Sequence, residues 1–509
     1  MAQTVDRPPP ATAPGPATPS DGRASRVLTF GEAPAPTQVP RWMIILGALL
    51  AQAILTRAMV AVPRLGLVQA LFLVGLTGYV ILRRQTTIAI CVLAYIPNAE
   101  IVWRQTGAPI PYQFAPYLAI AISTLLVLTV LPTLTKPARA AMLYVALLIP
   151  SVVVTISVAG TDARELISFA LSGPVALMTM IAVFSQLTFH LWFYRRLLWV
   201  IIVSGMGPLM AAVTAIDEYI AANGGIEFES ESNFVTSGGF GPVQVSSMMG
   251  LTALCCVLVF LVERNLAARA LAFAMGIFAT VLSFLTFSRG GMTATAIALA
   301  LFFLVQARNA EARRRVFTVV LVVFAIGYFV IVPRINDFTD GEFEKRFSDT
   351  SSGRSELAVN DLEVFTDNVW FGVGPGMMKY NRLGFDVCAL RSDDCRMEAS
   401  SHTEFTRMLG EHGMPGLLSV VLVVWLAVLA VQRAGPSRPV TVAMLGWAIA
   451  QMFYANFRVV GIAFAFAFAF ARIVADPEAD LDYDPDAQAR PLRLQRSSRA
   501  RYASENTPI

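Results

Sequence analysis

Long apolar runs separated by short polar connections dominate this chain. Runs long enough to cross a bilayer, about 18–20 residues each, fall at 42–62, 65–82, 86–103, 114–131, 140–159, 166–187, 197–216, 243–262, 267–287, 291–306, 316–333, 414–432, 439–455 and 458–474. They predict an all-α polytopic membrane protein of about fourteen transmembrane helices. The one long polar stretch between spans is 334–413, read as a large loop containing short helices. The expected organisation is a tail over 1–41, helices over 42–333, the loop over 334–413, helices over 414–474 and a second tail over 475–509.

The connecting charges orient this layout. With the N-terminus inside, the cytoplasmic connections hold fourteen basic residues: Arg83, Arg84, Lys136, Arg139, Arg195, Arg196, Arg264, Arg269, Arg308, Arg313, Arg314, Arg315, Arg433 and Arg438. The short outer connections hold six: Arg57, Arg64, Arg104, Arg164, Arg289 and Arg458. The outer stretch 217–242 is acidic, with Asp217, Glu218, Glu227, Glu229 and Glu231. This positive-inside bias predicts cytoplasmic termini and a periplasmic loop at 334–413, hence a multi-pass protein of a bacterial inner membrane.

Composition agrees. Of 509 residues, 56% are hydrophobic and only 15% charged, too few charges for the surface of a soluble domain. A net charge of +4 over this length says nothing in favour of nucleic acid. The first forty residues hold nine prolines and no apolar core, so they read as a disordered tail rather than a signal peptide. Of five cysteines, Cys91, Cys255 and Cys256 lie in apolar runs and read as buried thiols. Cys388 and Cys395 lie in the large loop, where an oxidising periplasm would let them pair. No metal-ligand pattern is visible and no cofactor is expected.

The loop carries the candidate chemistry. Residues 354–368 have helical character, with Leu357, Ala358, Leu362 and Phe365 loosely on one side. The glycine-rich run at 370–376 could cradle a phosphate, but no Lys-Ser/Thr follows, and a tight turn is the simpler reading. Ser401 and Glu404 fit a capping box, which would open a helix with His402 at its first position. A helix N-terminus keeps an imidazole neutral and able to accept a proton; the plain alternative is a solvated residue. Of the other two histidines, His190 reads as interfacial and His412 as capping a helix C-terminus.

Arg289 sits between two apolar runs on an expected Gly290–Gly291 turn at the outer surface. It is either a snorkelling anchor or an anion clamp. Arg458 has a similar boundary position, and Arg346 and Arg354 lie in the loop. The alternating Phe and Ala of 464–470 read as a helix packing on lipid and small residues.

In order along the chain stand SRGG at 288–291, GRSE at 353–356, GVGPG at 372–376, SHTEF at 401–405 and GEHGMPG at 410–416. This ordered set, over about residues 240–475, resembles the O-antigen ligase and Wzy-type polymerase superfamily. The resemblance implies an inverting, metal-independent periplasmic glycosyltransferase whose donor is a glycan on undecaprenyl pyrophosphate. It implies that His402 is the general base and that Arg289 and Arg354 hold pyrophosphate; Arg346, Glu404, Glu411 and Arg458 are accessory candidates read from their positions. Thr403 stands where the family often has Asn, which removes any role carried over to that neighbour. The acceptor is either another lipid-linked repeat unit, as in a polymerase of surface or exopolysaccharide, or lipid A–core or a protein, as in a ligase. The polymerase reading is preferred because no extra acceptor domain is visible. Membrane lipid, a chain-length regulator and other polysaccharide assembly proteins are the partners implied. A lipid-linked sugar transporter is the alternative from another class. Against it, the charges cluster at span ends, no internal repeat is visible and a long loop would have no use.

Overall fold

The computed structural model describes residues 28–29, 39–131, 133–228, 231–307, 314, 321, 327–348, 354–382, 401, 403–454, 457 and 459–474. His402, Arg458, Cys388 and Cys395 lie outside these residues, as do most of both tails.

Among the described residues, nine helical segments are long and apolar enough to cross a membrane. The first eleven helices are α1 (Arg41–Ala61), α2 (Arg64–Leu82), α3 (Thr86–Gln105), α4 (Phe114–Thr129), α5 (Lys136–Leu148), α6 (Val152–Ala159), α7 (Ala163–Phe184), α8 (Leu191–Asn223), α9 (Pro242–Val262), α10 (Leu266–Leu285) and α11 (Arg289–Gln306). After them come α12 (Val332–Phe338), α13 (Glu342–Ser348), α14 (Arg354–Asp367), α15 (Glu404–Arg433), α16 (Arg438–Met452) and α17 (Val460–Phe468).

The nine segments and the expected fourteen spans differ for identifiable reasons. The expected spans 140–159 and 166–187 fall, except for the last three residues, inside one 49-residue stretch, Lys136–Phe184, which doubles back so that α5 packs on α7. The reversal occurs at Gly160, whose φ of 55° is a left-handed conformation that glycine tolerates. Helices α4, α16 and α17 coincide with expected spans but have only 16, 15 and 9 residues. The span expected at 316–333 lies largely outside the described residues.

The structure adds a feature absent from an all-α expectation. Short strands β1 (Leu28–Thr29), β2 (Leu187–His190) and β3 (Arg472–Val474) form a parallel sheet in the order β1-β2-β3. It joins chain segments near both termini at one end of the bundle. The same end holds Glu263, 5% exposed, within 3.7 Å of Arg41 and 3.8 Å of Arg195. Connections expected on one side of the membrane are thus grouped together. Those expected on the other side gather at the opposite end, where Tyr112 meets Phe169 and Asn233 meets Thr286.

The Phe/Ala run is helical, as its pattern predicts, but does not face lipid. Every residue from Val459 to Ala471 is buried. Phe464 and Phe468 pack on Phe184, with ring centroids 5.7 Å away in each case. The run is an interior helix wedged between α7, α16 and α3. Cys255 and Cys256 are buried as expected, and Cys91 is half-buried.

Candidate functional site

The end of the bundle opposite the small sheet collects most of the residues singled out in the sequence. Arg289 is the first residue of α11. The turn before it is made by Thr286, Phe287 and Ser288, with Phe287 buried at φ 55°. The glycines after Arg289 do not form that turn, contrary to the expectation from SRGG. They lie in the first turn of α11 and permit close packing. A Cβ on Gly291 would sit 2.1 Å from the Ser246 carbonyl oxygen, and one on Gly290 would sit 2.9 Å from the Tyr454 Cβ.

Two segments pin this turn. The Asn233 amide donates to the Thr286 carbonyl at 2.9 Å, and the Thr236 hydroxyl to the Leu285 carbonyl at 2.6 Å. Phe343 of α13 packs its ring on Phe284 and Phe287, with centroids at 5.6 and 6.0 Å. Arg346, from the same helix, donates from Nε to the Phe287 carbonyl at 3.4 Å. The fold therefore brings Arg346 to the peptide two residues ahead of Arg289. Both arginines are half-buried.

The N-terminus of α11 is chemically unusual. Its first turn contains no acidic residue and begins with a cation. The amide dipoles of a helix N-terminus disfavour a cation by about 0.3–1 kcal/mol. Ser288, at the capping position, makes no cap bond, and its buried hydroxyl has no hydrogen-bond partner among the described residues. Amides, a hydroxyl and a guanidinium at one helix end are the chemistry that binds a phosphate-type anion.

The second half of the site is built on α14 and α15. The helix expected at 354–368 forms as α14, and the Arg354 backbone opens it. Its side that faces protein differs from the expected one. Asp361 and Val364 are buried, while Leu362 is 43% exposed. Asp361 accepts from Arg382 at 2.7 Å through Nη2 and 2.8 Å through Nε, and its other oxygen accepts from the Thr406 hydroxyl at 2.8 Å.

The capping box does not form as expected. Helix α15 begins at Glu404 and is capped by Thr403, whose hydroxyl accepts the Thr406 amide at 3.1 Å. Ser401 instead accepts from Arg382 at 2.8 Å. His402 therefore precedes the capping residue rather than opening the helix. Its flanking residues are held on one side by Arg382 and on the other by the cap.

Helix α15 is two helices meeting at Gly413, whose φ of 64° and ψ of −140° leave the helical range. The first, 404–412, precedes the apolar span 414–433 and carries a buried ionic ladder. Arg407 binds Glu404 at 2.5 Å and Glu411 at 3.0 Å. Glu404 also accepts the Phe457 amide at 3.2 Å, one residue from Arg458. Arg407 reaches the Ala170 carbonyl at 3.5 Å. Glu404 and Glu411 are thus engaged in holding elements together. His412 does not cap the helix end by charge, as expected. It is 2% exposed and pairs through Nδ1 with the Ser151 hydroxyl.

The glycine-rich motifs interlock. The amides of Val373 and Gly374 donate to the carbonyls of Gly410 and Glu411 at 3.0 and 2.9 Å. A Cβ on Gly372 would lie 2.4 Å from the Glu411 carbonyl carbon, and one on Gly413 would lie 2.5 Å from the Val369 oxygen. GVGPG is therefore a packing turn against GEHG, and three of its amides, those of Gly372, Val373 and Gly374, are already spent on carbonyls. Among the described residues no group of three or more His, Cys, Asp or Glu is placed to hold a metal ion.

Arg407 was readable in principle, because its separations of three and four from the two glutamates place all three on one helix face. Asp361, Arg382 and Ser151 carried no local signal.

No curated protein matches the chain. A family model described as O-antigen ligase matches residues 273–421, narrower than the stretch of resemblance in the sequence. The match runs from α10 through the kink in α15 and includes Arg289, Arg346, Arg354, His402, Glu404 and Glu411, but not Arg458. The segment that builds this end of the bundle is thus similar to an O-antigen ligase domain, which supports the O-antigen ligase and Wzy superfamily.

Proposed function

We propose that this protein is a membrane glycosyltransferase that works on the periplasmic face of a bacterial inner membrane and elongates a glycan carried on undecaprenyl pyrophosphate. The observation that carries the reading is the convergence at the start of α11. Arg289 opens the helix, Ser288 holds beside it a buried hydroxyl with no partner among the described residues, and Arg346 is tied to the same turn. The family match over this segment supports it.

The chemistry needs little beyond positioning and charge. An acceptor hydroxyl oxygen forms a bond to the anomeric carbon of the donor from the face opposite the leaving group. The bond from that carbon to the pyrophosphate oxygen breaks, and the electron pair leaves with the pyrophosphate. The configuration inverts, and the hydroxyl proton goes to His402. Arg289, Arg346 and Arg354 stabilise the charge gathering on the pyrophosphate, the kind of preorganised electrostatics that dominates many such barriers. His402 supplies general-base assistance, worth about 10²–10⁴-fold. No metal ion is invoked. Glu404, Glu411 and Arg407 keep the helix that follows His402 in register, and Arg458 contributes from the adjoining α16–α17 connection. A Cys388–Cys395 disulfide would close part of the loop.

With another lipid-linked repeat unit as acceptor, the enzyme is a polymerase of surface or exopolysaccharide. The description of the matched family favours a second reading, transfer of finished glycan to lipid A–core or protein. Glycan analysis in a deletion host carrying His402→Ala tests both, with membrane insertion checked by tag protection. Loss of long glycan with single repeat units accumulating supports the polymerase. Full-length chains stranded on undecaprenyl pyrophosphate support the ligase. Unchanged glycan removes the assigned base and returns the transporter reading.

A further inference from the structure

A cavity of about 190 Å³ opens beside the α3–α4 connection, and no residue assigned above to catalysis lines it. Its walls are Glu100, Trp103, Arg104, Tyr112, Phe114 and Phe240. The floor is closed, with Glu100 1% and Trp103 4% exposed, while Tyr112 at the rim is 37% exposed. Arg104 is salt-bridged to Glu100 at 2.5 Å, and its guanidinium lies 3.7 Å from the Tyr112 ring centroid. Trp103 and Phe114 meet edge to face at 5.6 Å.

We propose that this cavity is a saccharide subsite that seats one sugar ring of the glycan substrate; this rests on the glycosyltransferase reading above. A pyranose presents an apolar C–H face and a polar hydroxyl edge. The cavity matches that division, with aromatic walls and a buried carboxylate–guanidinium pair able to accept and donate to hydroxyls. An isoprenoid or acyl chain would bring no donor or acceptor to the same charged pair. The volume lies below the roughly 300–1,000 Å³ of sites for drug-sized ligands, so it suits a single ring rather than a whole repeat unit.

Three links join the cavity to the candidate site. Phe240 ends the segment whose Asn233 and Thr236 hold the turn before Arg289. Glu100 accepts the Val460 amide at 2.8 Å, while Glu404 accepts the Phe457 amide at 3.2 Å, so cavity floor and α15 grip one short connection from its two ends. The Tyr112 ring lies 5.7 Å from Phe169, and the next residue, Ala170, receives Arg407. A sugar held here adjoins elements that carry the reacting groups.

The test is calorimetric titration of the full-length protein in nanodiscs. The probe is the lipid-free repeat-unit oligosaccharide released by mild acid from the producing cell's surface polysaccharide. Tyr112→Ala removes a wall, and Ile110→Trp fills the cavity by addition rather than deletion. Monodispersity on size exclusion checks folding. Saccharide binding to the unmodified protein that weakens at least tenfold in both variants is the expected result. Equal binding in a folded Ile110→Trp variant overturns the subsite, as does displacement of the saccharide by undecaprenyl phosphate. Absent binding in the unmodified protein, alongside glycan loss in His402→Ala, overturns the subsite and leaves the enzyme reading intact. Cavity-dependent binding alongside normal glycan in His402→Ala and Arg289→Ala supports a saccharide site and removes the enzyme reading.

Discussion

The N-termini of α11 and α15 face the same end of the bundle and are built in opposite ways. Helix α15 is closed by its own residues: Thr403 caps it, Glu404 supplies an acid to the first turn, and Arg407 neutralises that acid at 2.5 Å. Helix α11 starts with Arg289, has no acid in its first turn, and Ser288 makes no cap bond. The first arrangement satisfies the dipole and the amides from within. The second has a cation in place of an acid and no side-chain cap. Two helix ends with the same backbone chemistry thus separate into one that holds the fold and one that, on the proposed function, receives the donor pyrophosphate.

The largest effect is expected on the closed end. Arg407→Ala leaves Glu404 and Glu411 buried without their common partner. Breaking such a buried pair costs about 3–5 kcal/mol, so folded yield and the melting temperature in detergent should fall sharply. An unchanged melting temperature would break the distinction between the two ends. At the open end, Arg289→Ala should cost about 10²–10³-fold in glycan transfer while the melting temperature holds within a few degrees. Arg289→Lys should recover only part of the activity, because a point charge lacks the guanidinium fork.

A smaller loss of stability follows from packing. Gly291→Ala would place a methyl 2.1 Å from the Ser246 carbonyl. Forcing α9 and α11 apart should cost about 1–3 kcal/mol, read as a lower thermal midpoint, with activity falling in step because Arg289 moves with its helix. The sharpest test of the comparison is also the mildest. Thr403→Ala removes a formed cap and should cost about 1 kcal/mol. Ser288→Ala removes a hydroxyl with no partner among the described residues, so stability should stay level while the apparent affinity for lipid-linked donor drops. Equal loss of stability in the two variants would erase the contrast.

Much of the fold was legible from hydrophobic periodicity. The bounds of α1, α2, α3, α9, α10 and α11 lie within a few residues of the runs in the sequence. The helix at Arg354–Asp367 was also legible, as were the buried Cys255 and Cys256. Local rules misled where the chain had two ways to satisfy the same group. Ser401 and Glu404 have capping-box spacing, yet Thr403 caps the helix, because Arg382 reaches across from the preceding loop and takes Ser401. The charge of His412 suggested a helix cap, but the kink at Gly413 turns that residue inward against Ser151. The Phe/Ala run carried a strong helix signal and no signal for what surrounds it, since lipid and protein interior are equally apolar.

The sequence by itself determined that this chain crosses a membrane many times and which end each connection favours. Those properties follow from residue counts, spacing and charge, all local along the chain. Only the tertiary structure decided that GVGPG packs on GEHG, that Asp361 and Arg382 brace the segment around His402, and that Arg346 meets the turn ahead of Arg289. Each of these depends on residues tens of positions apart. Their contact is fixed by where α9, α11, α14 and α15 pack, and no period or motif along the chain encodes it.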